Sequence, residues 1–106
     1  MLYKLDLTPQ EMKTLGFKYD HNANDFTYEF PVYRSKGKTT LYCKIGINED
    51  THYVWANVYD NDKELYSPYY NRTYGKSNVI KIIDSNISKE LVRLGAIEVE
   101  DINYDT

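Results

Sequence analysis

The side chains that most often perform catalysis are few in this chain, and they match none of the familiar catalytic motifs. The only two histidines are His21, in a polar loop-like run, and His52, at the start of a strand-like segment. The single cysteine, Cys43, alternates with Leu41 and Ile45, which is typical of a buried, inert thiol rather than a nucleophile. We therefore predict no catalytic residue, and the pattern favours a binding protein over an enzyme.

Carboxylates occur in two close pairs, Glu49/Asp50 and Asp60/Asp62. Such pairs can perform acid–base chemistry or bind a hard cation. Both pairs lie where polar turns are predicted between strands, and aspartate and glutamate are ordinary residues there. The stretch at 60–62 also lacks the glycine and closing glutamate of a calcium loop. We therefore predict no metal site and no cofactor.

Tyrosine is unusually frequent, at 12 of 106 residues. In two neighbouring strand-like segments, aromatic side chains alternate with aliphatic ones, and a strand places alternate residues on opposite faces. One face of the predicted sheet is therefore aliphatic and the other aromatic. Tyrosine and tryptophan are enriched at the hot spots of protein interfaces. The predicted partner-binding residues are Tyr42, Tyr53, Trp55 and Tyr59.

The aromatic face has two other interpretations. The first helix or the C-terminal segment could cover it as a second small core. Stacked rings could instead bind single-stranded nucleic acid, but that function also needs a basic groove, and only Lys44 supplies a basic group on this face. The leading hypothesis is a protein partner, either a second copy of the chain as a homodimer or a host factor.

A second candidate site precedes the last helix. The sequence Gly-Lys-Ser-Asn at 75–78 would lie at a helix N-terminus, where free backbone amides favour negative groups. Aromatic rings could stack on a base there, and basic side chains could hold a phosphate. The alternative function is therefore a small-anion or nucleotide-binding domain. Its ligand-binding residues would be Tyr69, Tyr70, Arg72, Tyr74 and Lys76.

Two helices and a meander of strands are predicted to position these residues. Thr8 and Glu11 have the spacing of a capping box, and Gly16 would end a short first helix. Apolar residues at helical spacing predict a longer helix from Ser77 or Asn78 to Leu94.

Strands are predicted at 26–34, 39–48 and 52–59, with a short fourth at 64–67 and a final one at 96–99. Pro31 lacks a backbone amide hydrogen, which predicts an edge position or a bulge. The fold class is α+β: an antiparallel three- to four-stranded meander with a short N-terminal helix and a longer C-terminal helix packed on one face.

The length and the charge of the chain limit the remaining classes of protein to which it could belong. The chain suits one domain, and four of its 16 acidic residues lie at 98–106, so we expect an α+β domain at 1–97 and an acidic tail at 98–106. The near-neutral body argues against duplex-DNA binding. Because no signal peptide and no apolar run of about 20 residues is visible, we expect no membrane association and a cytoplasmic location.

Three segments carry a resemblance to known sequences: Leu-Thr-Pro-Gln-Glu-Met-Lys-Thr-Leu-Gly-Phe at 7–17, Phe-Pro-Val-Tyr-Arg at 30–34 and Ile-Ser-Lys-Glu-Leu-Val-Arg-Leu-Gly at 87–95. With its Tyr/Asn/Lys/Ile-rich composition, the chain resembles small uncharacterised phage and prophage proteins of low-GC Gram-positive bacteria. The resemblance implies an accessory protein in a bacterial host cytoplasm. It assigns a role to no residue.

Overall fold

A computed structural model describes residues 2–71 and 78–99 of the chain. Its elements in chain order are β1 (Leu2–Lys4), α1 (Pro9–Leu15), β2 (Lys18–Asp20), β3 (Asp25–Ser35), β4 (Lys38–Ile47), β5 (Val54–Asp60), α2 (Ser67–Asn71), α3 (Asn78–Leu94) and β6 (Ile97–Val99). The predicted α+β class, with a four-stranded antiparallel sheet, a short N-terminal helix and a longer C-terminal helix, is confirmed.

The strands form two antiparallel sheets. The larger sheet has the order β2-β3-β4-β5, and the smaller one pairs β1 with β6. The two sheets meet where Lys4 forms an isolated bridge with Tyr53, next to a hydrogen bond of 3.0 Å from the Leu5 amide to the His52 carbonyl. The residues just before β5 therefore contact the end of β1, which is one of the two strands of the smaller sheet.

Helix α1 owes its boundaries to local sequence. The Thr8 hydroxyl accepts a hydrogen bond from the Glu11 amide at 3.1 Å, and the Glu11 carboxylate accepts one from the Thr8 amide at 3.0 Å. These bonds satisfy two amides that a helix start leaves unpaired. Gly16 ends the helix at φ 102°, a left-handed conformation that suits glycine.

The hydrophobic core lies between α3 and one face of the larger sheet. Helix α3 contributes its apolar stripe, and β4 contributes every second residue. Met12 of α1 joins the same cluster, so both predicted helices supply buried side chains to one core. The buried apolar residues of α3 and of strands β3 to β5 are Ile80, Ile83, Ile87, Leu91, Leu94, Phe30, Val32, Leu41, Cys43, Ile45, Ile47 and Val58.

The structure differs from the predicted strands in three places. Strands β1 and β2 were not expected, because each has only three residues and is defined by its pairing. The predicted strand at 64–67 is wrong: Leu65 makes only a bridge to Tyr59, and α2 begins at Ser67. Pro68 follows at once, and proline suits the first turn of a helix.

Pro31 lies in β3, next to shifts in the pairing register with β4 between Pro31 and Tyr33 and between Tyr33 and Arg34. The predicted bulge is therefore present. Strand β2 pairs only with residues 25–27, so it ends before Pro31. Pro31 thus lies outside the part of β3 that pairs with β2.

The predicted acidic tail begins inside a strand, because Glu98 and Val99 pair with Tyr3 and Leu2 in the smaller sheet. Residues 100–106 lie outside the described ranges. Within 2–71 and 78–99, no helix is long and apolar enough to cross a membrane.

Cys43 should be chemically inert while the chain is folded. The residue is 0% exposed at the centre of β4, and burial raises the pKa of its thiol to about 12. Because the thiolate is the reactive form, we expect no labelling by a disulfide reagent at pH 8 and rapid labelling in guanidinium chloride, followed by absorbance. Stoichiometric labelling of the folded protein within seconds would contradict this burial.

Candidate functional site

The face of the larger sheet turned away from α3 carries the predicted partner-binding aromatics, and we call it the outer face. It follows from the alternation along β4, where Tyr42, Lys44 and Gly46 interleave with Leu41, Cys43 and Ile45 of the core. Each pairs with a residue of β5 on the same face: Tyr42 with Tyr59, Lys44 with Asn57 and Gly46 with Trp55. The outer face is therefore defined by Glu29, Tyr42, Lys44, Trp55, Asn57 and Tyr59.

Trp55 is held in one position by close packing and a hydrogen bond. A Cβ atom on Gly46 would lie 2.2 Å from two atoms of the indole, so the ring occupies the space that any other side chain would fill. The indole Nε1 donates to Asp25 Oδ2 of β3 at 2.9 Å. Trp55 thus reaches from β5 across β4 to β3.

An ion pair ties the next part of the outer face to β2. Lys44 Nζ donates to Asp20 Oδ2, and the other oxygen of Asp20 accepts from the amides of Asn22 and Ala23. The hydrogen bond from Lys44 holds the pKa of the Asp20 carboxyl below its usual value, and the same pair raises the pKa of Lys44. The one basic group predicted on this face is therefore already neutralised.

The rest of the outer face forms a shallow groove of about 510 Å³. The cross-strand pair Tyr42 and Tyr59 lines it, together with Glu29 and Lys44 and the turn that follows β5. That turn adds Asp60, Asn61 and Lys63. Tyr42, Trp55 and Tyr59 are all partly accessible. The structure thus brings three of the four predicted aromatics onto one half-exposed surface.

Tyr53, the fourth predicted partner-binding residue, lies apart from the groove. It precedes β5 and forms the bridge to Lys4, whose ammonium lies 5.2 Å from the centre of the Tyr53 ring. The side chain is 37% exposed. Its contact with Lys4 gives Tyr53 a structural role at the junction of the two sheets.

The alternative anion site is described only in part. Tyr69 and Tyr70 lie in α2, with their rings 5.6 Å apart at nearly a right angle. The Tyr69 hydroxyl donates to Asp84, while the Tyr70 hydroxyl accepts from the Val58 amide and donates to Asn57. Arg72, Tyr74 and Lys76 lie outside the described residues, so this site stays a prediction. Both described hydroxyls are bonded within the chain, and one of them faces a carboxylate.

The predicted acidic pairs lie in turns. Asp60 Oδ1 accepts from the amides of Asp62 and Glu64, as a turn-forming aspartate does. In the turn that holds the pair Glu49/Asp50, Asn48 Oδ1 accepts from the amides of Asp50 and Thr51. Among residues 2–71 and 78–99, no three histidine, cysteine or acidic residues cluster as metal ligands would.

Sequence comparisons do not place the chain in a family: no family model matches it, and no curated protein matches its sequence. Among solved structures, a DUF1831 family protein from Lactobacillus plantarum is similar in fold, with a TM-score of 0.51 at 13% sequence identity. The similarity covers 90% of this chain and 84% of that chain. At this identity the likeness concerns the fold alone.

Three supporting residues of the outer face escaped the sequence analysis. Asp25 and Asp20 hold Trp55 and Lys44, and Gly46 leaves room for the indole. The two aspartates read as ordinary loop residues, because their partners are more than 20 positions away in the chain. Only Gly46 gave a local signal: a glycine inside a strand often marks the close approach of another group.

Replacing Gly46 by alanine should displace Trp55. The added methyl group overlaps the indole, so we expect a loss of about 2 kcal/mol in the free energy of unfolding, within the range for overpacking. Trp55 is the only tryptophan, so a shift in its fluorescence reports the displacement directly. In a Trp55→Ala background, Gly46→Ala should leave the free energy of unfolding almost unchanged. An equal loss of stability in both backgrounds would contradict the packing of Trp55 against Gly46.

The ion pair between Asp20 and Lys44 should make stability depend on acid pH. A carboxyl group whose folded pKa is lowered stabilises the fold above its unfolded pKa, and that contribution is lost as the pH falls through the folded pKa. Asp20→Asn should therefore destabilise the chain at pH 7 and have progressively less effect below 3.8, the usual pKa of the group. Urea unfolding over this pH series measures it.

Asp62→Asn is the matched control, because Asp62 lies in an exposed turn. It should leave the unfolding free energy at pH 7 almost unchanged. A pH-independent effect of Asp20→Asn would show that the pair with Lys44 is not what lowers the pKa of Asp20.

Proposed function

We propose that this chain is a binding protein that acts by occupying a protein partner, and that the outer face is the contact surface. The observation that carries the proposal is the arrangement of Tyr42, Trp55 and Tyr59 on one half-exposed surface, while the aliphatic face of the same sheet packs against α3. Aromatic side chains with polar groups around them are the usual composition of an interface hot spot.

The rigidity of these side chains supports the proposal. Trp55 is fixed by Gly46 and by its hydrogen bond to Asp25, so it loses little rotational freedom when a partner binds. Ordering a mobile side chain at an interface costs about 0.5–1.5 kcal/mol, and a side chain that is already ordered avoids most of that cost.

The charges of the groove favour a protein over a nucleic acid. Glu29 and Asp60 place carboxylates beside the two tyrosines, Lys44 is paired with Asp20, and Lys63 is the remaining basic residue of the groove lining. A phosphate backbone would approach these carboxylates with little compensating positive charge, whereas single-strand binding requires a basic groove. A protein surface that carries both signs of charge fits this rim.

The partner is a second copy of the chain or another protein of the same cell. From the resemblance to phage and prophage proteins we infer a bacterial host protein as the second choice of partner, and an accessory role in the host cytoplasm. That setting rests on the resemblance, and the binding surface rests on the geometry of the outer face.

The double variant Tyr42→Ala/Tyr59→Ala tests the surface. Removing two hot-spot tyrosines should weaken binding by about 700-fold, since each costs about 2 kcal/mol at the centre of an interface and the two together about 4 kcal/mol. Sedimentation velocity from 1 to 100 µM shows whether the partner is a second copy. If the wild type is a monomer, affinity capture from a Gram-positive lysate supplies candidate partners. Each candidate is then purified and titrated against the wild type and the double variant.

Val92→Ala/Ile97→Ala is the matched control, because Val92 and Ile97 are 64% and 70% exposed and neither lies on the outer face. It removes apolar surface elsewhere and should leave binding unchanged. Equal affinity for wild type and the tyrosine variant, or an equal loss in the control, would overturn the proposal. Thermal unfolding of both variants verifies that they are folded.

A further inference from the structure

A second cavity, of about 140 Å³, lies between α1 and the adjoining ends of β3 and β4. It is separate from the groove of the outer face, because Phe26 and Ile47 belong to the face of the sheet that bears the core. Its walls are almost entirely apolar. The apolar wall residues are Leu7, Pro9, Met12, Tyr19, Phe26 and Ile47.

Five polar residues complete the lining: Asn24, Asp25, Asn48, Glu49 and His52. Three of them have an oxygen that is occupied within the chain, whereas His52 Nδ1 is buried without a hydrogen-bond partner among the described residues. Asn24 Oδ1 accepts from the Tyr19 hydroxyl at 2.6 Å, and Asp25 Oδ2 accepts from Trp55. Asn48 Oδ1 accepts from two backbone amides of the following turn. These three oxygens are therefore committed before any ligand arrives, and the apolar walls offer their contacts to an apolar group.

The walls are held in place without a ligand. Tyr19 contacts Phe26 edge to face at 5.3 Å between ring centres, and its hydroxyl is fixed by Asn24. Met12 and Ile47 are buried at the base, 7% and 2% exposed. A preformed apolar cavity requires little reorganisation to bind, which favours a real if modest affinity.

The volume sets the size of the ligand. An apolar cavity of about 150 Å³ accommodates benzene, whereas pockets for drug-sized ligands start at about 300 Å³. We propose that this cavity binds a single apolar ring, supplied by a small aromatic molecule or by one aromatic side chain of another protein. The site is independent of the proposed function of the outer face.

Titration of the ¹⁵N-labelled chain with toluene tests the site. We expect saturable shifts of the amide signals at 7, 8, 10–12, 26 and 47–48, with a dissociation constant on the order of 1 mM, the affinity that burial of one ring provides. The biaryl 4-phenylphenol, whose two linked rings exceed the cavity, should bind at least about 10-fold more weakly. No saturable shift with toluene, or an equal response to 4-phenylphenol, overturns the proposal.

A second titration distinguishes the two sources of the ring. N-acetyl-phenylalaninamide carries the same ring on a peptide backbone. Binding comparable to that of toluene indicates that the mouth admits an aromatic residue of a partner protein. Binding of toluene alone indicates a free small molecule. Both results support the site.

Leu7→Trp should fill the cavity and weaken toluene binding by at least about 10-fold. Leu15→Trp is the control, because Leu15 is half-buried on α1 but does not line the cavity, and it should bind toluene as the wild type does. Leu7→Phe is a milder filling variant if the tryptophan prevents folding. Full toluene affinity in a folded Leu7 variant would overturn the assignment, and none of these changes touches Tyr42 or Tyr59.

Discussion

The burial of Cys43 and Ile45 beneath α3 determines the orientation of every other side chain on β4. Because successive residues of a strand point to opposite faces, a shift of one residue would turn Tyr42 and Lys44 into the core and expose the aliphatic set. Both residues are 0% exposed, so the core leaves no room for the alternative register. The groove, the position of Trp55 and the separation of the two candidate binding surfaces all follow from this single constraint.

The outer face is organised by contacts that cross the sheet rather than by contacts along one strand. Trp55 spans β4 to reach Asp25, and Lys44 reaches Asp20 on β2. The free edge of β5 is also engaged: the Val58 amide donates to the Tyr70 hydroxyl, and the Val58 carbonyl accepts from the Tyr66 amide. These contacts blunt an edge that would otherwise be open to pairing. The geometry therefore favours contact through the side chains of the outer face rather than the addition of a strand at this part of β5.

The long elements were predictable because their signals are local. The capping box of α1, the apolar stripe of α3 and the alternation of β4 each lie within a few turns or residues of the chain. The short elements were not. Strand β2 is defined only by its pairing with β3, and the segment at 64–67 alternates like a strand although Pro68 and the contacts of Tyr69 and Tyr70 favour a helix.

The sequence by itself determined which side chains share a face, and so it placed Tyr42, Trp55 and Tyr59 together opposite the aliphatic core. Strand periodicity needs no knowledge of distant residues. Tertiary structure alone decided how those side chains are held, because Asp25 and Gly46 meet Trp55 only after three strands pair. It also decided that Leu7, Phe26 and Ile47, far apart in the chain, enclose an apolar cavity. Such a cavity depends on how a helix is seated on a sheet, and no local pattern encodes that.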